Sequence, residues 1–207
     1  MPPTPPSRRS YWLKKLHQWH WMSAAISLVG ILVFSATGLT LNNAAWIDAQ
    51  PDVTHETASL PPALVKALEP ATQPANAPLP EPVASWLEGH LDIQLQGHNA
   101  EYSSDEIYVS LPEPGGDAWL SISLADGQVE YERTARGWIA YFNDLHKGRH
   151  TGVAWSWFID CLAFACIVFS LTGLFLLHLH SAKRASTWPL VGLGLIAPLI
   201  VMLLFLH

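Results

Sequence analysis

The sequence predicts a membrane α-helical protein, three transmembrane helices with a small α+β domain inserted between helices 1 and 2. Three observations predict it. Half of the residues are apolar and only 14% are charged, which is low for a soluble chain. The apolar residues gather into blocks near 19–41, 153–179 and 188–206, each reaching the roughly 20 residues that a helix needs to cross about 30 Å of hydrocarbon. Between the first two blocks the texture changes to alternating runs broken by turn residues, which is the pattern of strands. Three core helices of this kind would need a larger soluble domain to hide them.

Residues 1–18 form an N-terminal segment. Its start, Pro2 to Pro6 (PPTPP), cannot be helical and reads as a disordered tail. A helix begins near Ser10, with Tyr11, Trp12, Trp19 and Trp21 as an interfacial belt. Residues 19–42 form the first span. A cleaved signal peptide competes with this reading, but the apolar run exceeds the roughly 7–15 residues of a signal core, and LNNAAWIDAQ is a weak cleavage site. Gly30 and Gly38 with Ser35 and Thr37 give this helix a small-residue face, as Thr172-Gly173 does for the second span, and close helix approach is the plain explanation.

Residues 43–151 form the inserted domain. From Asp48 to Pro82 it reads as an extended Pro- and Ala-rich linker around a short helix at LPPALVKAL. From Ile93 four strands are expected: IQLQ, DEIYVSL, AWLSISL and QVEYERT. Asp126-Gly127 between two alternating runs signals a hairpin. An antiparallel sheet with a helix from LPPALVKAL or VASWLEGHL on one face is the natural architecture. The second span (152–180), a short loop (181–187) and the third span (188–207) complete the chain.

Arg8, Arg9, Lys14 and Lys15 precede the first span, and Lys183 and Arg184 lie between the second and third. Basic residues in short loops mark the cytoplasmic side. The N-terminus is therefore expected inside, the inserted domain outside and the C-terminal His207 at the outer face. Sixteen of the seventeen Asp and Glu fall in the inserted domain, against five Lys and Arg. Such a surface attracts cations, iron included, and repels nucleic acid. Ordinary solubility explains it equally well. Cys161 and Cys166 lie about 140° apart on one helix and read as small apolar residues, with no disulfide or metal site.

Seven of the ten His lie within or beside the spans, and none lies at a span's centre. Ionisable groups at membrane depth are costly and mark pathways or ligands. At the inner side His17 and His20 share a helix face. His178 and His180 close the second span about 200° apart, so only one of them points into a bundle. At the outer side His146 and His150, four apart, share a face at the entrance to the second span. Two layers of neutral imidazole are what a pair of b-type haems would need. The competing explanation is that interfacial His simply tolerates the headgroup region. Asp160, about two and a half turns into the second span, would need a partner there, and could support a ligand or relay protons.

The strings LHQWHWMSAAISLVGILVFSATGLTLNN and NDLHKGRHTGVAWSWFIDCLAFACIVFSLTGLFLLHLH, with the strand-rich segment between them, resemble the PepSY-associated transmembrane helix family. The resemblance implies a periplasmic PepSY-like domain between helices 1 and 2. Relatives in that group include haem-carrying ferric and ferric-siderophore reductases of bacterial inner membranes. By resemblance, His17, His20, His146 and His150 match the family's recurring His positions, and the depth argument adds His178. The chain has fewer helices than the larger reductases, so a complete haem pocket calls for a second protomer, in a homodimer.

The expected function is thus a haem b protein of the bacterial inner membrane that passes electrons outward to ferric iron or a ferric chelate. No Gly-rich dinucleotide fingerprint is present and the cytoplasmic parts are too short for a flavin or nicotinamide domain, so quinone or another protein would be the donor. Two alternatives stay open. The inserted domain could be a binding or regulatory module on anchoring helices, or the chain a proton-coupled transporter with Asp160 and the His pairs as relays.

Overall fold

The computed structural model describes residues 8–47, 50–68 and 75–206; the expectations for Pro2 to Pro6 and for His207 lie outside them. In chain order the elements are α1 (Arg8–Asn42), β1 (Asp52–Ser59), α2 (Pro62–Lys66), β2 (Asn76–Ala77), α3 (Glu81–Leu91), β3 (Ala100–Tyr102), β4 (Glu106–Ser110), β5 (Gly116–Ser123), β6 (Gln128–Ala135), α4 (Gly137–Lys147), α5 (Gly152–His180) and α6 (Thr187–Phe205). The chain divides into two compact units, residues 34–156 and residues 1–33 with 157–207.

The helical unit is a membrane structure. Helices α1, α5 and α6 are each long and apolar enough to span a bilayer. Their large side chains face outward instead of inward: Leu28, Leu32, Phe164, Ile167, Leu193 and Leu203 are all exposed. Exposure to water would forfeit about 1.5–3 kcal/mol for each such side chain, so lipid is the solvent these faces are built for. Helix α1 is covered on a narrow face where Ser23 and Ser27 are buried. Their hydroxyls donate back to the carbonyls of Trp19 and Ser23, each at 2.7 Å, which leaves no donor bare against the neighbouring helix. One turn on, a Cβ added to Gly30 would lie 2.5 Å from Leu162 Cδ1 of α5. This is the close approach expected of Gly30, but Ser35 is exposed and does not share the face.

The other unit is built on a six-stranded antiparallel sheet in the order β1-β6-β5-β4-β3-β2. Alternation does the work: Ile107 and Val109 of β4, Ala118, Leu120 and Ile122 of β5, and Val129 and Tyr131 of β6 are buried, while their neighbours are not. Helix α3 lays Val83, Leu87 and Leu91, spaced by four, onto that face. Leu64 and Val65 of α2 add to it, with Leu68 wholly buried just beyond. The Asp126-Gly127 hairpin joins β5 to β6 with Gly127 at φ +71°, a conformation open to glycine at little cost.

Two expectations for this unit are corrected. The segment IQLQ is not a strand, because Asp92 adopts a left-handed cap that ends α3, Leu95 turns into the core, and the Leu95 N–H donates to Glu88. The presumed linker from Asp48 to Pro82 contains β1, which pairs with β6 from Asp52 opposite Ala135 to Ser59 opposite Gln128. Seven of its eight residues are exposed, so an edge strand of polar residues left no hydrophobic alternation to read.

Candidate functional site

In the helical unit the sequence places His17 and His20 one turn apart on α1, and the fold brings His180, the last residue of α5, to them. The His17 and His180 rings lie 6.2 Å apart at 83°. Each is anchored by its own helix: His17 Nδ1 is 2.8 Å from the Leu13 carbonyl and His180 Nδ1 is 2.9 Å from the Leu176 carbonyl. A carbonyl only accepts, so both Nδ1 atoms carry the proton, and in the neutral ring Nε2 keeps its lone pair.

His20 is held across the helix pair. Its ring stacks on Phe169 of α5 at 4.8 Å and 15°, and its Nδ1 lies 3.0 Å from Thr172 Oγ1 and 3.3 Å from the Phe169 carbonyl. The Thr172 hydroxyl donates to the Val168 carbonyl at 2.7 Å, so it accepts from His20. Beside it, Gly173 has no side chain, and a Cβ there would sit 3.3 Å from His20 Cε1. His20, Gly173, Leu176, Leu177, His180 and Arg184 line one cavity of about 350 Å³. An apolar groove of about 620 Å³ elsewhere in this unit is lined by Trp12, Leu16, Trp19 and Phe175 with Arg9 and Lys15.

In the sheet-bearing unit His146 sits in the last turn of α4 and docks on the α1 segment of the same unit. Its ring is 5.0 Å from Phe34, its Nδ1 is 2.8 Å from Thr37 Oγ1, and a Cβ at Gly38 would lie 3.4 Å from its Cε1. One turn earlier on α4, buried Asn143 accepts from Thr40 Oγ1 at 2.9 Å. Asp144 of the same helix accepts the Gly115 N–H at 2.9 Å, tying α4 to the sheet.

The two receptors are built alike. Residues 33–41 read VFSATGLTL and residues 168–176 read VFSLTGLFL, identical at seven of nine positions. In both copies the Phe packs against a His from another helix, stacked at 15° on His20 and tilted by 40° against His146, the Thr three residues on meets its Nδ1, and the next Gly makes room for its Cε1. The sequence reading grouped Thr37 with Gly38 and Thr172 with Gly173 as small residues only; the duplication was the signal that would have exposed their polar role.

Other predicted residues fall elsewhere. His178 packs on Trp188 of α6, its ring 5.8 Å away, so His180 and not His178 joins His17. His150 does not share a helix face with His146. Gly148, at φ +67°, caps α4 with its N–H on the Leu145 carbonyl, and α5 starts only at Gly152; His150 lies in the exposed connection at φ +54°. Asp160 lies with Val153, Trp157 and Phe164 on the exposed side of α5 and has no hydrogen bond or ion pair among the described residues. Cys161 and Cys166 are free.

Electrostatics in the sheet-bearing unit are local. Arg133 bonds Glu113 at 2.6 Å, and the carboxylate holds the guanidinium pKa above its ordinary value. His55 meets Glu132, its cross-strand partner, at 3.3 Å. Among the described residues no three His, Cys, Asp or Glu side chains gather to hold a metal ion, so the acidity of this unit is spread over its surface.

No curated protein and no solved structure matches the chain. A family model, PepSY_TM-like, matches residues 11–207. That match covers α1, the sheet and helices α5 and α6 alike, and the chain belongs to the PepSY_TM-like family.

Proposed function

We propose that the chain is a haem-binding electron-transfer protein of a bacterial inner membrane that reduces ferric iron or a ferric chelate on the periplasmic side, in support of iron uptake. One observation carries the reading: His20 and His180 line the same cavity, and each has its Nδ1 tied to oxygen, so that the neutral rings offer Nε2 lone pairs. Imidazole nitrogen suits haem iron. The donor set therefore fits haem b, with His17 beside His180 as a further imidazole, Leu176 and Leu177 as apolar walls, and Arg184 as a cation for a propionate. When bound, haem supplies one-electron chemistry that none of these side chains carries. His146 offers the same ring chemistry in the other unit. Among the described residues no second imidazole touches it, and a second protomer would supply one. The basic residues in the first turns of α1 and just after α5 favour a cytoplasmic N-terminus, and the acidic domain then faces arriving ferric cations.

A second reading, a periplasmic binding or regulatory module on anchoring helices, draws on the complete core of the sheet-bearing unit. One experiment separates the two. Protein purified in mild detergent is expected to show a Soret band, sharpened by anaerobic reduction and reversed by ferric citrate, and His20→Ala should bleach it. Absence of the band after haem supplementation would sink the haem reading and leave the module.

A further inference from the structure

At His20 the ring's protonation is forced, because Nδ1 touches a carbonyl, that of Phe169, as well as the Thr172 hydroxyl. At His146 the contact at Nδ1 is to a hydroxyl, Thr37 Oγ1 at 2.8 Å, and a hydroxyl can donate or accept. The duplicated sequence resolves the choice. In both copies the Thr hydroxyl is directed at a carbonyl of its own helix, Phe34 at 3.2 Å for Thr37, Val168 at 2.7 Å and Phe169 at 3.0 Å for Thr172. A hydroxyl has one proton. Given to the helix, it leaves only oxygen lone pairs for the ring.

We infer that Thr37 is a positioning residue for His146: it accepts the Nδ1 proton, fixes the neutral tautomer whose Nε2 carries the lone pair, and holds the ring between Phe34 and Gly38 as Thr172 does for His20. The two Thr are thus equivalent parts of a duplicated imidazole mount. The tautomer assignment is independent of what ligand Nε2 takes; its consequence for haem rests on the function proposed above. A partner that fixes the other ring nitrogen is also what metal-binding His residues use to orient and raise the basicity of the ligating one.

The test is nitrogen NMR of the full, haem-free chain in detergent, labelled at His and recorded near pH 8.5, above the ordinary imidazole pKa of about 6.5. His146→Ala assigns the signals. The wild type is expected to show His146 protonated at Nδ1 and bare at Nε2. Thr37→Val should move it toward the mixed tautomers of free imidazole, and Thr37→Ser should keep the wild-type pattern. A wild-type proton on Nε2, or a Thr37→Val ring unchanged, overturns the inference. His20 serves as the folding control, and if Thr37→Val disturbs it, the wild-type tautomer and the Ser variant decide. A haem titration separates this from the ligand reading. Losing the partner that holds a ligating imidazole's other nitrogen costs about 10–100-fold in affinity, so Thr37→Val should weaken binding at His146 by that factor while Thr37→Ser does not. No haem binding by the wild type would end the ligand reading with the tautomer result intact. Equal haem affinity in the wild type and Thr37→Val would end the positioning role alone.

Discussion

Helix α4 delivers His146, and the structure makes the strength of its docking measurable. Asn143 is 7% exposed and accepts from Thr40 Oγ1 at 2.9 Å, and because both partners only accept, the single hydroxyl proton is shared between this amide oxygen and the Thr37 carbonyl at 2.8 Å. The two ends of this contact are therefore unequal. Asn143→Ala leaves the Thr40 proton with its backbone partner, so the loss is that of a net hydrogen bond, about 0.5–1.5 kcal/mol, plus some packing. Thr40→Val instead leaves a buried amide oxygen without this donor, a penalty of about 1–3 kcal/mol. The double variant pays for the contact once, so it should be more stable than the sum of the two by about 1 kcal/mol. Denaturant unfolding of the detergent-solubilised chain gives the cycle, and hydrogen exchange of the α4 amides localises it. Independent sites add within about 0.3–0.5 kcal/mol. Additivity within that margin, or Asn143→Ala proving the costlier change, would refute this account of the docking.

Two further outcomes are expected in the sheet-bearing unit. Gly127→Ala forces a left-handed φ of +71° on a side chain and brings a Cβ to 2.7 Å from Val65 Cγ2. It should cost about 1–2 kcal/mol, only part of it restored by Val65→Ala, and a wild-type melting midpoint would contradict the turn assignment. The Asp126 carboxyl is held below its ordinary pKa of 3.8, first by the Ser123 hydroxyl and then by the Gln128 N–H. A depressed carboxyl contributes stability above its unfolded pKa and loses it as pH falls through the folded one. Asp126→Ala should therefore flatten the acid limb of stability below about pH 4 and change little at pH 7 beyond a constant offset; an unaltered acid limb would exclude the turn carboxylate as a contributor.

What the sequence revealed followed the strength of each physical signal. Uniform apolar runs made α1, α5 and α6 legible, since length and composition alone decide a span. Strict alternation exposed β4, β5 and β6, and the Asp-Gly pair their hairpin. Strand β1 escaped because its side chains are almost all exposed, and β2 and β3, two and three residues long, are too short to carry a period. The break at Gly148 escaped for another reason. His146 and His150 at a spacing of four read as one helix face, and only the left-handed cap separates them. His180 was weighed against His178 by angle, but angle alone does not say which neighbour a side chain meets. The partner helix decides that, and it brought His180 to His17.

The duplicated segment shows why a membrane helix would mount an imidazole this way. Nearly every carbonyl of a helix interior is already taken by the i+4 amide, so the backbone offers a foreign N–H little beyond a strained second bond, such as the 3.3 Å contact from His20 to Phe169. A side chain must supply the acceptor, yet in hydrocarbon any proton left unpaired on that side chain costs several kcal/mol. Threonine meets both demands, because its hydroxyl proton returns to its own helix and its oxygen remains free to accept. Asparagine or glutamine would bring two N–H donors with no helix carbonyl placed for them. A glycine after the threonine then leaves room for the ring, and a phenylalanine one turn before gives it an apolar neighbour. The mount uses three of the seven positions shared by the two segments, the Phe, the Thr and the Gly, although the histidines they receive come from helices as different as the long α1 and the three-turn α4.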